Sequence, residues 1–383
     1  MKYLSRIFFL GLFSVSVLSS QWITDQHFKE HSQKGIAYVY NLEFDSAKAE
    51  FDYLAARYPS HPAGKFFLAM IDWWKILMNA DDESHDAEFI QKLDLVITLC
   101  DSLLNVNEND ITAMFFKGGA LGFRGRLYAN RSSWIKAAND GRVALPIVQK
   151  AYKIAPNNYD ILLGIGIYNY YAYIIPERYP LVKPLMIFFP SGNKIKGIEQ
   201  LQKASEHAEY ASIEAAYFLM QLYFFYEKEY YKALEIAVTL YSRFPKNVLF
   251  HRYLARTYVI LAKWDNAVTE FNEILKRCTE HYTGYSEYTR REALYHLGVC
   301  AMEKKNYVEA LQFFYQSDKL SRELDKKEIS SYMTMTNLKI GMIYDLQKKR
   351  EYAVQQYRKV LQLKKFEDSH DSAERYLKTP YKE

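Results

Sequence analysis

The strongest constraint on this chain is a recurrence of small and aromatic residues at fixed offsets. Ala233, Ala267, Ala310 and Ala353 are spaced by 34, 43 and 43 residues, and each ends a polar or aromatic stretch: EKEYYKA, AKWDNA, EKKNYVEA and QKKREYA. Twelve residues before each alanine stand Gln221, Ala255, Gly298 and Gly341, three of them small. Four residues after each stand Ala237, Phe271, Phe314 and Tyr357. The N-terminal part has the same arrangement in Gly35, Tyr38, Ala47, Phe51 and Pro59, and Pro245 closes a further unit. Between these marks the apolar residues keep a helical period. Small residues at such positions let a second helix approach closely, and the resulting pair exposes apolar faces that only a stacked neighbour can cover.

Composition narrows the class further. Among 383 residues there are 15 glycines and 10 prolines, about half the usual share. Strand-forming β-branched residues are not enriched, so a sandwich or barrel is excluded and an all-α chain is expected. The small-residue pattern resembles the tetratricopeptide repeat, a helix–turn–helix unit of about 34 residues. Gly35, Tyr38, Ala47, Phe51 and Pro59 fit one such unit, and Leu254, Ala255, Tyr258, Ala267 and Phe271 fit another. The expectation is an α-solenoid of about eight helix pairs, starting near residues 28, 62, 110, 158, 211, 247, 286 and 328. The 43-residue intervals imply lengthened helices or loops, as at CTEHYTGYSEYTRRE.

The expected organisation has four parts. Residues 1–20 read as a signal peptide, with Lys2 and Arg6 before an apolar run from Ile7 to Leu18 and small residues Ser19 and Ser20 before Gln21. That run is short for a membrane span. A divergent array covers 21–210, a regular array covers 211–365, and a charged tail covers 366–383, expected as a cap. Export is therefore expected, with the periplasm or envelope of a Gram-negative bacterium as the expected destination. Without Lys2 and Arg6 the formal charge falls from +5 to +3, too little to imply nucleic acid as a partner.

A proline-rich insertion at 174–192 interrupts the fourth pair. It carries Pro176, Pro180, Pro184 and Pro190, a density expected to exclude regular helix. It is also apolar, with Leu185, Phe188 and Phe189 beside Lys183. The run LLGIGIYNYY, then this segment, then SGNKIKGIEQL is similar to the inclusion-clearance family of tetratricopeptide proteins and its bacterial relatives. Leu163, Gly164, Gly166, Tyr168, Asn169, Pro176, Gly192, Asn193, Lys194, Gly197 and Leu201 carry the match. That resemblance implies a non-enzymatic role near membranes or protein inclusions. Two readings of the insertion stand open: a plug packed on its own solenoid, or a membrane or partner contact through Phe188 and Phe189.

No constellation places catalytic chemistry. His27 and His31 share a helix face without a third ligand, and the acidic run from Asp81 to Glu88 reads as a turn and helix start. Gly118, Gly119, Gly122 and Gly125 lie at helical spacing with no preceding strand, which points to helix packing rather than a phosphate loop. Arg124 and Arg126 beside them are candidates for a cap or an anion contact. Cys100, Cys278 and Cys300 read as buried thiols. Neither an enzyme, a cofactor nor a metal is expected. The expected function is protein or peptide binding along the concave face. If Ala255 is the small residue of its unit, Arg252 and Arg256 lie one turn apart on the inner face, with Tyr295 in the next unit and Phe218 and Leu222 in the one before. Tetratricopeptide domains that hold C-terminal carboxylates use a basic pair at such positions.

Overall fold

The computed structural model describes residues 25–178, 183–184 and 189–382, and among them it is helical throughout, with seventeen α-helices and no strand. The helices form antiparallel pairs. The first four pairs are α1 (Gln26–Tyr40) with α2 (Phe44–Arg57), α3 (Ala63–Met78) with α4 (Asp86–Val106), α5 (Ile111–Asn130) with α6 (Trp134–Ile154), and α7 (Tyr159–Arg178) with α8 (Lys194–His207). Next come α9 (Ser212–Gln221) with α10 (Tyr230–Arg243), α11 (Val248–Ile260) with α12 (Trp264–Thr279), α13 (Glu287–Glu303) with α14 (Tyr307–Leu324), and α15 (Ser331–Leu346) with α16 (Arg350–Gln362). A last helix, α17 (Ser369–Lys378), packs on α15 and α16. Each of the eight pairs starts within three residues of its expected position. Odd-numbered helices through α15 form the inner layer and even-numbered ones the outer layer.

The small residues hold each pair together. A Cβ on Gly35, Gly298 or Gly341 would lie 2.3, 2.7 or 2.6 Å from the ring of Phe51, Phe314 or Tyr357 on the partner helix. Ala47, Ala267, Ala310 and Ala353 are fully buried opposite. Each buried aromatic of this kind contributes about 1.5–3 kcal/mol through burial.

Six of the turns inside pairs share one geometry. Leu42, Ser132, Lys228, Ala262, Lys305 and Lys348 all have positive φ, between 53° and 60°. In each, the next amide reaches back to a carbonyl in the last turn of the inner helix, as Glu43 N does to Tyr38 O (2.9 Å) and Lys263 N to Tyr258 O (2.8 Å). This is the left-handed C-cap that helices usually assign to glycine; here lysine, leucine, serine and alanine accept the strain. In the fifth pair, α9 runs into a π-helical turn, Leu222–Glu227, before Lys228.

Two prolines sit inside helices. Pro176 lies in the last turns of α7, which continues to Arg178, and Pro146 lies in α6. The expectation that Pro176 would already break the helix is thus corrected. Pro176 gives up the bond its own N–H would make to the Ala172 carbonyl, and the helix ends two residues later, at Arg178.

The inner faces do not all line an open groove. Asn247 Nδ2 donates to the Tyr40 carbonyl (2.8 Å) across 207 residues of sequence. Trp74 packs edge-on against Tyr40 (5.0 Å) and Phe250 (5.6 Å) and lies 5.5 Å from Tyr217. Lys246 pairs with Glu43 (3.1 Å) and Lys29 with Glu209 (3.0 Å). The first two pairs therefore close onto the fifth and sixth, and aromatic side chains fill the centre. One apolar cluster runs from Phe28 to Cys300, and a second, from Ala301 to Ala373, belongs to the last two pairs and α17.

Candidate functional site

Beyond this closure the inner layer opens. Asn247 caps α11 by accepting from Leu249 N (2.9 Å) and Phe250 N (3.2 Å), which sets the helix start. Arg252 and Arg256 then project from α11 toward α13. Arg252 Nε and Nη2 donate to Glu292 Oε2 (2.9 and 2.5 Å), and Arg256 Nε donates to Glu292 Oε1. Arg256 Nη2 also donates to the Tyr332 hydroxyl (3.3 Å). Glu292 is 1% exposed, whereas each arginine side chain keeps 22% exposure. Burial alone would raise the Glu292 carboxyl, but the two guanidinium charges outweigh it and hold the group well below the usual carboxylate range. The two arginines thus share one carboxylate, and the cluster keeps one net positive charge.

Aromatic and cationic groups extend this patch. Tyr295 and Tyr332 meet edge-on at 5.5 Å, and the Arg291 guanidinium lies 5.0 Å from the Tyr332 ring while pairing with Asp325 (2.6 Å). On α15, Lys339 is half-buried. Burial pulls its ammonium down, and Glu303 and Asp368 offset this only in part. No carboxylate lies within ion-pairing distance of it among the described residues.

Of the residues expected to bind a partner, Arg252, Arg256 and Tyr295 come together here. Phe218 and Leu222 do not. They are 4% and 0% exposed and belong to the filled centre, because the first pairs close over that part of the inner face. In the insertion, Leu185 and Phe188 lie outside the described residues, as does the segment read as a signal peptide. Lys183 is exposed, and Phe189 is half-buried with its ring against Gly141 of α6, 3.5 Å from where a Cβ would stand.

The motif around the insertion has a packing explanation. Gly166 and Gly197 stand where α7 crosses α8, and a Cβ on Gly197 would lie 2.7 Å from Tyr170 N and 2.9 Å from Gly166 O. A Cβ on Gly192 would meet Asn169 O at 2.4 Å. Asn193 caps α8 by accepting from Lys196 N (2.9 Å), Asn169 Nδ2 donates to Gln200 (2.7 Å), and Lys194 pairs with Glu227 (2.9 Å). These residues bring the chain back from the insertion onto α7.

Several other polar and thiol groups are buried or paired within the chain. Asp72, His85 and Glu88 bring metal-ligand atoms within 4.8 Å of one another. Lys92 Nζ, however, lies 2.6 Å from Asp72 and 2.7 Å from Glu88 and already fills the place of a cation. A carboxylate–imidazole–hydroxyl relay does form, which the sequence did not suggest because its parts lie on α11, α12 and the following turn. His251 Nε2 meets Glu270 (3.0 Å) and its Nδ1 meets the Tyr285 hydroxyl (2.9 Å). His251 is fully buried and Tyr285 is 4% exposed, so the imidazole and hydroxyl are shielded, while Glu270 keeps 23% exposure. The three cysteines are buried free thiols, with Cys100 and Cys278 pushed up to about 12 and Cys300 to about 11 by burial. His31 meets Glu50 at 2.5 Å, and the acidic run forms a turn in which Asp82 accepts from Ser84 N (2.9 Å). Arg124 donates to Asp140 (2.8 and 2.6 Å) and to Asp94. Among the described residues no helix is long and apolar enough to cross a membrane.

Comparison with solved structures finds other helical-repeat proteins. The chain is similar to the human IFIT1 dimer solved with m7Gppp-AAAA, at 15% identity and a TM-score of 0.42, over 84% of this chain and 68% of that one. It is also similar to the C-terminal part of a TPR repeat-containing protein from Cytophaga hutchinsonii (17%, TM-score 0.36, 78% and 97%) and to a tetratricopeptide repeat protein from Parabacteroides merdae (16%, TM-score 0.33, 82% and 99%). No protein-family model and no curated protein matches the chain. The solenoid assignment therefore rests on the helix pairs described above.

Proposed function

We propose that this protein is a non-catalytic interaction scaffold whose last three helix pairs receive an extended acidic segment of a protein partner. One observation carries the reading. Arg252 and Arg256 share a single buried carboxylate, so a positive charge stays partly open on an inner face lined by Tyr295 and Tyr332. A partner carboxylate there accepts charge-assisted hydrogen bonds, each worth about 1.5–3 kcal/mol when well aligned. Lys339 supplies a second cation on the neighbouring helix. Solenoids commonly bind along such concave surfaces. The segment 1–20 supports export to a bacterial envelope as part of the same proposal, tested by finding Gln21 as the N-terminus of the mature protein. Among the described residues of the insertion, Phe189 packs against α6, which supports a plug over a membrane contact.

The test uses fluorescence anisotropy with a labelled glutamate- and aspartate-rich peptide and a lysine-rich control. Wild type should bind the acidic peptide, less tightly as salt rises. Glu292→Gln should tighten binding by freeing both guanidinium groups. The triple variant Arg252→Gln, Arg256→Gln, Glu292→Gln leaves no buried charge behind and should lose binding while staying folded. Equal binding of the lysine-rich peptide, or an unchanged triple variant, would sink the proposal.

A further inference from the structure

Another arginine on the inner layer is less well matched. Arg126 projects from α5 into the closed part of the molecule, where α3, α5, α9 and α11 converge. Its guanidinium lies 4.9 Å from the Trp73 ring and 4.4 Å from the Phe218 ring. Nη1 reaches Glu214 only at 3.5 Å, and Nη2 donates to Gln221 Oε1 at 3.3 Å. Both are longer than the roughly 2.7–2.9 Å of a good charge-assisted bond. Arg124, two residues earlier, makes such bonds to Asp140. Three of the five N–H groups of Arg126 have no acceptor among the described residues, and 23% of the side chain remains exposed.

The nominal counter-ion is itself poorly placed to serve. Glu214 is 5% exposed and also accepts from the Tyr40 hydroxyl (3.2 Å). Burial raises its carboxyl, and Arg126 and Tyr40 reduce that shift without reversing it. The Tyr253 hydroxyl accepts from Gln221 Nε2 (3.3 Å), which leaves its own proton free to donate. The Gln221 amide thus links the Arg126 guanidinium to the Tyr253 hydroxyl. The Arg126 side chain keeps as much exposure as the groove arginines, so an anion can reach its remaining N–H groups and complete their bonding.

We propose that Arg126, together with the Tyr253 hydroxyl, forms a binding site for one small oxyanion, a phosphate or carboxylate group, at the centre of the closed inner face. The site is separate from the Arg252–Arg256 cluster, and its ligand is held between aromatic walls rather than along an open groove. The free anion and a carboxylate carried on a larger molecule share this chemistry.

Thermal unfolding and calorimetric titration of the full chain test the site. Inorganic phosphate and succinate are added separately, with ionic strength held constant by chloride, and the acidic peptide described above forms a third arm. A saturable rise in Tm of about 2 °C or more is expected from at least one of them. A response to phosphate or succinate assigns the site to free anions, and a response to the peptide alone assigns it to a carried carboxylate. The gain should persist in the Arg252, Arg256, Glu292 triple variant, which separates this site from the groove. Gln221→Glu places a carboxylate beside the guanidinium at nearly unchanged shape. It should raise Tm in anion-free buffer and abolish the anion-dependent gain. A lower Tm for Gln221→Glu in that buffer would show that Arg126 is already neutralised. No gain beyond chloride in any arm would equally overturn the site.

Discussion

The first six pairs and the last three, which share α11 and α12, use the same repeat to opposite ends. In both regions a small residue on the inner helix faces an aromatic on the outer one: Gly35 and Phe51 in the first pair, Gly341 and Tyr357 in the last. What differs is the inner layer. In the first region it carries Tyr40, Trp74, Tyr217 and Phe250, and these rings meet each other across the turn of the solenoid. In the last three pairs it carries Arg252, Arg256 and Tyr332, which stay partly exposed around the buried Glu292 carboxylate. The pairing of helices is thus indifferent to whether the superhelix closes; the polarity of the inner face decides it.

The largest effect that could break this comparison is at the closure. Trp74→Ala should cost about 3–5 kcal/mol, whereas Tyr332→Ala, on the open face, should cost about 1 kcal/mol. Denaturant unfolding measures both, and equal costs would mean that the centre is no better packed than the groove. The shared part should respond equally. Ala47→Trp and Ala353→Trp, both at fully buried sites, should each cost about 1–3 kcal/mol by overpacking a pair. A large difference between them would show that pair packing is not the common module. Asn247→Ala removes both a helix cap and the bond to Tyr40 and should cost about 1–2 kcal/mol. Asn193→Ala removes a cap alone and should cost less, so thermal melts of the two isolate the contribution of the closing bond.

Acid should weaken both regions by a smaller amount. Burial lowers His61, in the first region, and His296, beside Glu292, each to about 4. Both are neutral when folded and protonate near 6.5 when unfolded. Their contribution is complete above about pH 6.5 and is lost as pH falls through the window from 6.5 to 4. At pH 5.5 each should cost about 1 kcal/mol relative to pH 7.5. Stability curves of His61→Asn and His296→Asn should be flatter in that window, and unchanged slopes would show that these histidines titrate normally.

The helix pairs were legible because their signal is local and repeated: Ala47, Ala267 and Ala353 sit where the pattern put them. The turns were less legible, since residues such as Leu42 and Lys305 take a left-handed conformation that sequence reading associates with glycine. The closure was not legible at all from spacing. It joins Tyr40 to Asn247, and no repeat consensus constrains residues that meet across a superhelix. A signal did exist in the aromatic character of the inner positions. Phe218 and Leu222 were read as the floor of a binding groove, when apolar inner residues in successive units instead announce contact with another part of the chain. At the basic pair, Arg252 and Arg256 lie one turn apart on α11 and converge on α13. Glu292, forty residues from Arg252, is the acid that the sequence offers as a possible partner for the pair, and it accepts from both arginines.

The bond between Tyr40 and Asn247 also has a consequence for biosynthesis. A chain that emerges N-terminus first must present more than two hundred further residues after Tyr40 before its closing partner exists. Until then the rings of Tyr40 and Trp74 have nothing from α11 to cover them, and an uncovered aromatic surface on a nascent chain invites association with other chains. The last two pairs carry no such debt, because each is completed by its immediate neighbours. Chaperone dependence during synthesis should therefore concentrate on the first half of the chain and end when α11 arrives.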